Sequence, residues 1–69
     1  MKVSARNVLP GKVKAVTPGT VDSEILVELA PGLEVVAIIT KVSAEKLKLQ
    51  PGTKVYTIIK ASNVMIGVD

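Results

Sequence analysis

Apolar and polar residues alternate along most of this chain, and the alternation has the period of a strand. From Val21, the apolar positions Val21, Ile25, Val27 and Leu29 alternate with Asp22, Glu24 and Glu28. Ser23 falls on the apolar side, and Leu26 is the one interruption. Residues 12–16 alternate likewise, with Val13 facing away from Lys12 and Lys14. Residues 33–40 and 54–60 read as further strands, and 64–68 closes the chain as another. The doublets Val35-Val36, Ile38-Ile39 and Ile58-Ile59 predict strands covered on both faces, in central or interface positions. One stretch departs from the pattern. Residues 43–49 set good helix formers behind Ser43, a candidate N-cap, with Glu45 in the first turn. They predict one to two helical turns, ended by Gln50-Pro51-Gly52.

Turn chemistry supplies the boundaries. Each of the four prolines is followed by glycine. Proline pre-sets the first central position of a turn, and glycine supplies the positive φ that a type II turn needs at the second. Pro18-Gly19, Pro31-Gly32 and Pro51-Gly52 lie between apolar runs and mark chain reversals. Pro10-Gly11 instead falls inside the first long strand, which predicts an edge position or a bulge there. The resulting order is four strands, a short helix and two strands. This predicts an all-β domain with one short helix, a small five- to six-stranded barrel of the oligonucleotide/oligosaccharide-binding (OB) type. No linker, low-complexity tract or internal repeat interrupts residues 1–69, which form a single domain.

Composition adds a constraint on how such a domain is stabilised. The chain has 69 residues, 48% of them hydrophobic, yet it contains no Phe, no Trp and one Tyr. Val, Ile and Thr, the β-branched residues, dominate. Domains this small usually need disulfides, a metal or a partner chain. With no Cys and no His, the first two are missing, so the Val and Ile surface is expected to pack against further copies of the chain. The same absences exclude zinc fingers, iron–sulfur sites and Cys or His nucleophiles. No apolar run approaches the ~20 residues of a membrane span, and the N-terminus lacks the apolar core of a secretory signal. A soluble, cytoplasmic domain with no membrane partner is expected.

Nine Lys and Arg against six Asp and Glu give a net charge of +3, with a pI near 9.5. That balance raises a nucleic-acid-binding barrel as one alternative. Against it, Tyr56 is the only aromatic where such surfaces stack bases on several rings. The lysines are also scattered among acids rather than gathered into a stripe. Catalysis has no evident machinery. No carboxylate pair stands near a nucleophile or base, and Ser62 near Lys60 is too common a pairing to define a hydrolase.

Three polar clusters lack an obvious structural purpose: Ser4-Ala5-Arg6-Asn7, Thr40-Lys41-Val42-Ser43 and Lys60-Ala61-Ser62-Asn63. Each joins hydroxyls to a cation, and the second lies where a helix begins and free N–H groups favour an anion. Brought together they offer hydroxyls, a guanidinium, an ammonium and backbone amides with no carboxylate, an inventory suited to a small tetrahedral oxyanion. Plainer roles stand beside this one. Ser43 caps a helix, Asn7 and Asn63 are turn residues, and Arg6 makes a surface or interface ion pair. On that account the chain is a purely structural assembly domain.

The clusters carry a resemblance. Ser4-Ala5-Arg6-Asn7 followed by Gly11-Lys12-Val13, then Ile39-Thr40 with Ser43, then Lys60-Ala61-Ser62 with Val64-Met65-Ile66, is similar in order and spacing to the Mop domain of the molbindin family. The likeness spans essentially the whole chain. It implies an OB-type barrel assembled as a homohexamer, a trimer of dimers, that binds molybdate or tungstate at subunit interfaces and is not an enzyme. Ser4 and Arg6 would come from one subunit, and Thr40, Ser43, Lys60, Ala61 and Ser62 from its neighbour. No cofactor is implied, and no side chain ligates the metal directly, because molybdenum or tungsten arrives as its oxyanion. Storage or homeostasis of the anion is the role the resemblance implies, and selectivity over sulfate would come from cavity size.

Overall fold

A computed structural model describes residues 1–69. Four strands, β1 (Asn7–Pro18), β2 (Asp22–Ala30), β3 (Leu33–Thr40) and β4 (Lys54–Ile59), form one sheet in the order β3-β2-β1-β4, with every neighbouring pair antiparallel. A short helix, α1 (Lys41–Lys46), joins β3 to β4, and a single 3₁₀ turn (Ala61–Asn63) follows β4. The class is as expected, mostly β with one short helix, but the barrel is a curled half-barrel of four strands rather than five or six.

β1 produces the curl by serving two neighbours in turn. Its first half, Asn7–Lys12, pairs with β4, and its second half, Lys12–Pro18, pairs with β2. A bulge between Val13 and Ala15 adds Lys14 to the strand and sharpens its twist. Val13 exchanges backbone hydrogen bonds with the β4 side, at Thr53 O (2.9 Å) and Gly52 N (2.8 Å). By alternation Pro10 turns its nitrogen to the opposite side, where β1 has not yet met β2. The missing N–H therefore costs no ladder bond, and the expected edge position holds.

The glycine turns follow their chemistry. Gly32 (φ 78°) and Gly52 (φ 96°) occupy the left-handed region behind Pro31 and Pro51, and Thr53 N closes the second turn on Gln50 O at 3.0 Å. Gly19 is different. It has no positive φ and donates to Asp22 O at 2.7 Å. A type II turn splays a hairpin, and the register shift between Glu28 and Ala30 absorbs that distortion beside Pro31-Gly32.

Two boundaries differ from expectation. The helix starts at Lys41, because the Thr40 hydroxyl accepts from Ser43 N at 3.0 Å and so takes the N-cap role expected of Ser43. Residues 64–68 form no strand and pair with no edge of this sheet.

The core is small. Val13, Ile25, Val27 and Ala44 are buried together, with Val16, Leu29, Ala37, Ile39, Leu49 and Val55 half-buried around them. Ser23 is buried on the same side of β2, as the alternation placed it. Of the apolar doublets, Val35, Ile39 and Ile59 turn inward, and Val36, Ile38 and Ile58 are exposed. β3 and β4 are the edge strands, so the central-strand reading of those doublets fails and the interface reading remains open. No helix is long and apolar enough to cross a membrane.

Candidate functional site

The β1–β4 ladder runs from Lys12–Lys54 to Asn7–Ile59. Because the strands are antiparallel, the residues just before Asn7 and just after Ile59 emerge from the same end of the sheet. They line one concavity, with Ser4, Ala5 and Arg6 on one side, Lys60, Ala61, Ser62 and Asn63 on the other, and Ile58 between. Two clusters that are more than fifty residues apart in sequence are thereby joined within a single copy. The resemblance assigns Ser4 and Arg6 to one subunit and 60–62 to its neighbour. The antiparallel ladder already brings both groups together in one chain.

The electrostatics of the concavity suit an anion. Arg6 and Lys60 are exposed at the concavity, and neither is in an ion pair, because the chain's one salt bridge joins Lys14 to Glu34. No carboxylate lines the wall. The 3₁₀ turn that follows Lys60 closes through Asn63 N to Lys60 O at 2.8 Å. Its first two amides, on Ala61 and Ser62, have no backbone acceptor and are free to donate. With the hydroxyls of Ser4 and Ser62, the concavity offers donors and positive charge and no negatively charged group.

Thr40 and Ser43 do not line it. They sit at the end of β3, on the opposite edge of the sheet from β4, where the Thr40 hydroxyl donates to Ser43 Oγ at 2.7 Å. Both residues are exposed. Of the first amides of α1, Lys41 N is spent on Val21 O at 2.8 Å and Ser43 N on the Thr40 cap. The hydroxyl pair is the exposed side-chain group this cluster has to offer a ligand.

Asn7 is a strand residue rather than the turn residue the plainer reading made it, and its Nδ2 donates to Ile59 O at 3.2 Å, one residue along the chain from Arg6. Its place directly after Ser4-Ala5-Arg6 was the available signal, but Asn reads more readily as a turn former.

The comparisons with known proteins agree with one another. A family model for the TOBE domain matches residues 3–66. The molybdenum-pterin-binding protein 3 of Clostridium pasteurianum is 46% identical over 66 residues, which is 96% of this chain and 97% of that protein. Among solved structures, a molybdate-binding protein from Sporomusa ovata superposes with a TM-score of 0.90 at 40% identity, covering 99% of this chain and 100% of the other. The cytoplasmic molybdate-binding protein ModG, crystallised with molybdate bound, gives a TM-score of 0.93 at 40% identity. There the match covers 100% of this chain and 49% of ModG's.

Proposed function

The chain belongs to the TOBE domain family, and from that premise we propose that it binds molybdate or tungstate as an intact oxyanion inside the cell, for storage or homeostasis. The observation that carries the reading is the carboxylate-free concavity in which Arg6 and Lys60 stand together without ion-pair partners. Two fixed positive charges match a dianion. The hydroxyls of Ser4 and Ser62 and the amides of Ala61 and Ser62 supply directed donors for its oxygens. In this reading Thr40 and Ser43 close the site from a second copy, so that the complete site lies at a subunit interface of a homo-oligomer, a hexamer built as a trimer of dimers. Their exposed hydroxyls, on the opposite sheet edge from Lys60, support that placement.

Binding rather than catalysis fits this inventory, since every group at the concavity can hold an anion and none is a base poised beside a nucleophile. No nucleic acid, membrane or cofactor enters the reading. Molybdate and tungstate share the shape and charge of sulfate but are larger, so cavity size sets the preference. Isothermal titration with molybdate, tungstate and sulfate, on protein whose oligomeric state is fixed by light scattering, tests the reading. Saturable heat from the two larger anions and none from sulfate, on a multimer, is the expected result. Silence from all three would leave a purely structural assembly domain.

A further inference from the structure

The Asn7–Ile59 rung is the last of the β1–β4 ladder, and immediately beyond it the two strands part into the two walls of the concavity. Arg6 and Lys60 are each one residue past this rung, on opposite strands. Both are cationic, and neither is neutralised by a carboxylate of the chain. Without an anion between them they repel, and the force acts on the end of a ladder, where opening costs least. The Asn7 side chain stands against that opening. It is half-buried, and its Nδ2 donates to Ile59 O at 3.2 Å, across 52 residues of sequence. A strand residue needs no such side-chain bond for its own backbone. The bond adds a cross-strand tie at the one rung that faces the paired cations.

We propose that Asn7 is a positioning residue for the oxyanion site: its amide ties the start of β1 to Ile59 and holds together the two walls that carry Arg6 and Lys60, against the repulsion between these cations. The inference rests on the oxyanion reading given above. Asn7 is not a ligand in this scheme, because it does not line the concavity and its Nδ2 is committed to Ile59 O. Its contribution is preorganisation. The repulsion between the cations is resisted before the ligand arrives, so less of the ligand's interaction is spent on drawing the walls together.

The test uses Asn7→Leu, which keeps the branching and approximate size of the side chain and removes the donor, alone and combined with Lys60→Met. The first measurement needs no ligand. The difference in melting temperature between wild type and Asn7→Leu is followed from low to high salt, over which the screening length falls from about 30 Å to about 3 Å. It should shrink as salt rises and should be small at every salt concentration on the Lys60→Met background, where no paired charge remains to be held. A difference independent of both salt and Lys60 would make Asn7 an ordinary packing residue and overturn the proposal. The second measurement is molybdate titration. Asn7→Leu should weaken binding about fivefold, the scale of one net hydrogen bond, and less than about twofold on the Lys60→Met background. Equal losses on both backgrounds would also overturn it. If wild type binds no molybdate, the oxyanion reading fails by itself, and the salt series still decides what Asn7 does. Should Asn7→Leu not fold, Asn7→Ser carries the same two series.

Discussion

Arg6 and Lys60 each bring one positive charge to a concavity that has no carboxylate, so truncating either leaves half of a dianion uncompensated. Arg6→Ala and Lys60→Ala should each cost about 1.5–3 kcal/mol of molybdate affinity by titration, the scale of a hydrogen bond to a charged group. Wild-type affinity in both would place the anion elsewhere. The sequence set these two residues apart as the cations of two hydroxyl-bearing clusters, and the structure brings both clusters to one concavity. Gly11 was only partly legible. Pro10-Gly11 inside a strand predicted an edge position or a bulge, and the structure adds a close approach to β2 that the sequence did not announce. A Cβ at position 11 would lie 2.7 Å from Glu28 O and 2.9 Å from Val27 Cγ1, so the β2 backbone would have to move. Gly11→Ala should therefore destabilise the fold by about 1–3 kcal/mol, the range for overpacking, seen as a lower midpoint in denaturant. Lys48 presents the opposite case. It holds φ 53° just past the helix, a conformation that disfavours side chains with a Cβ. Lys48→Gly should raise the thermal midpoint, by the equivalent of up to about 1 kcal/mol.

At the scale of elements, strand existence and turn positions followed from period-two alternation and from Pro-Gly pairs, and both are local signals. What the chain did not reveal depended on neighbours. β1 is one strand from Asn7 to Pro18 because it changes partner at Lys12, and nothing in its own residues announces where β2 leaves off and β4 begins. The start of α1 hinged on which hydroxyl reaches an amide three residues on. Thr40 and Ser43 both qualify by type, and the β3 ladder puts Thr40 in the extended conformation a cap requires (φ −68°, ψ 150°). Thr40→Ala should cost about 1 kcal/mol of stability as a lost cap without molybdate, read from the melting curve, and more with saturating molybdate, where the proposed hydroxyl contact is lost as well. The bulge in β1 leaves a further mark by turning Lys14 toward the carboxylate of Glu34. Glu34, through its hydrogen bond and charge, holds the Lys14 ammonium above the usual lysine range. Stability from a base raised in this way is fully present below its unfolded-state value and is lost as pH climbs through the folded one. Glu34→Gln should therefore leave the shape of the stability profile unchanged from pH 5 to 9, with any divergence from wild type confined to strongly alkaline solution.

The whole molecule is where a single copy falls short. Only 5 of 69 residues are buried, too few for a chain with no disulfide or metal to rely on its own core. Ile38 is 60% exposed on β3, and Met65 and Ile66 are 91% and 88% exposed beyond the 3₁₀ turn. Residues 64–68 have the apolar character of a strand, yet the subunit offers them no ladder. Their assignment to a strand rested on apolar character alone, which does not say what, if anything, pairs with them. An exposed apolar surface this extensive marks an interaction site, and closed symmetric assembly of identical chains is its commonest use. Light scattering should accordingly give a multiple of the 7.2 kDa chain mass, sixfold for a trimer of dimers, and the melting temperature should rise with protein concentration, as mass action requires for a fold completed by association. Ile66→Asp places a charge at a side chain that is 88% exposed, where a lone subunit loses little packing. If residues 64–68 are covered by another copy, that substitution should shift the protein toward smaller species and weaken molybdate binding together with assembly, since Thr40 and Ser43 then no longer meet Arg6 and Lys60. An Ile66→Asp protein that keeps both its wild-type mass and its affinity would place the subunit contacts on the β3 side, and Ile38→Asp would then be the variant that separates the copies.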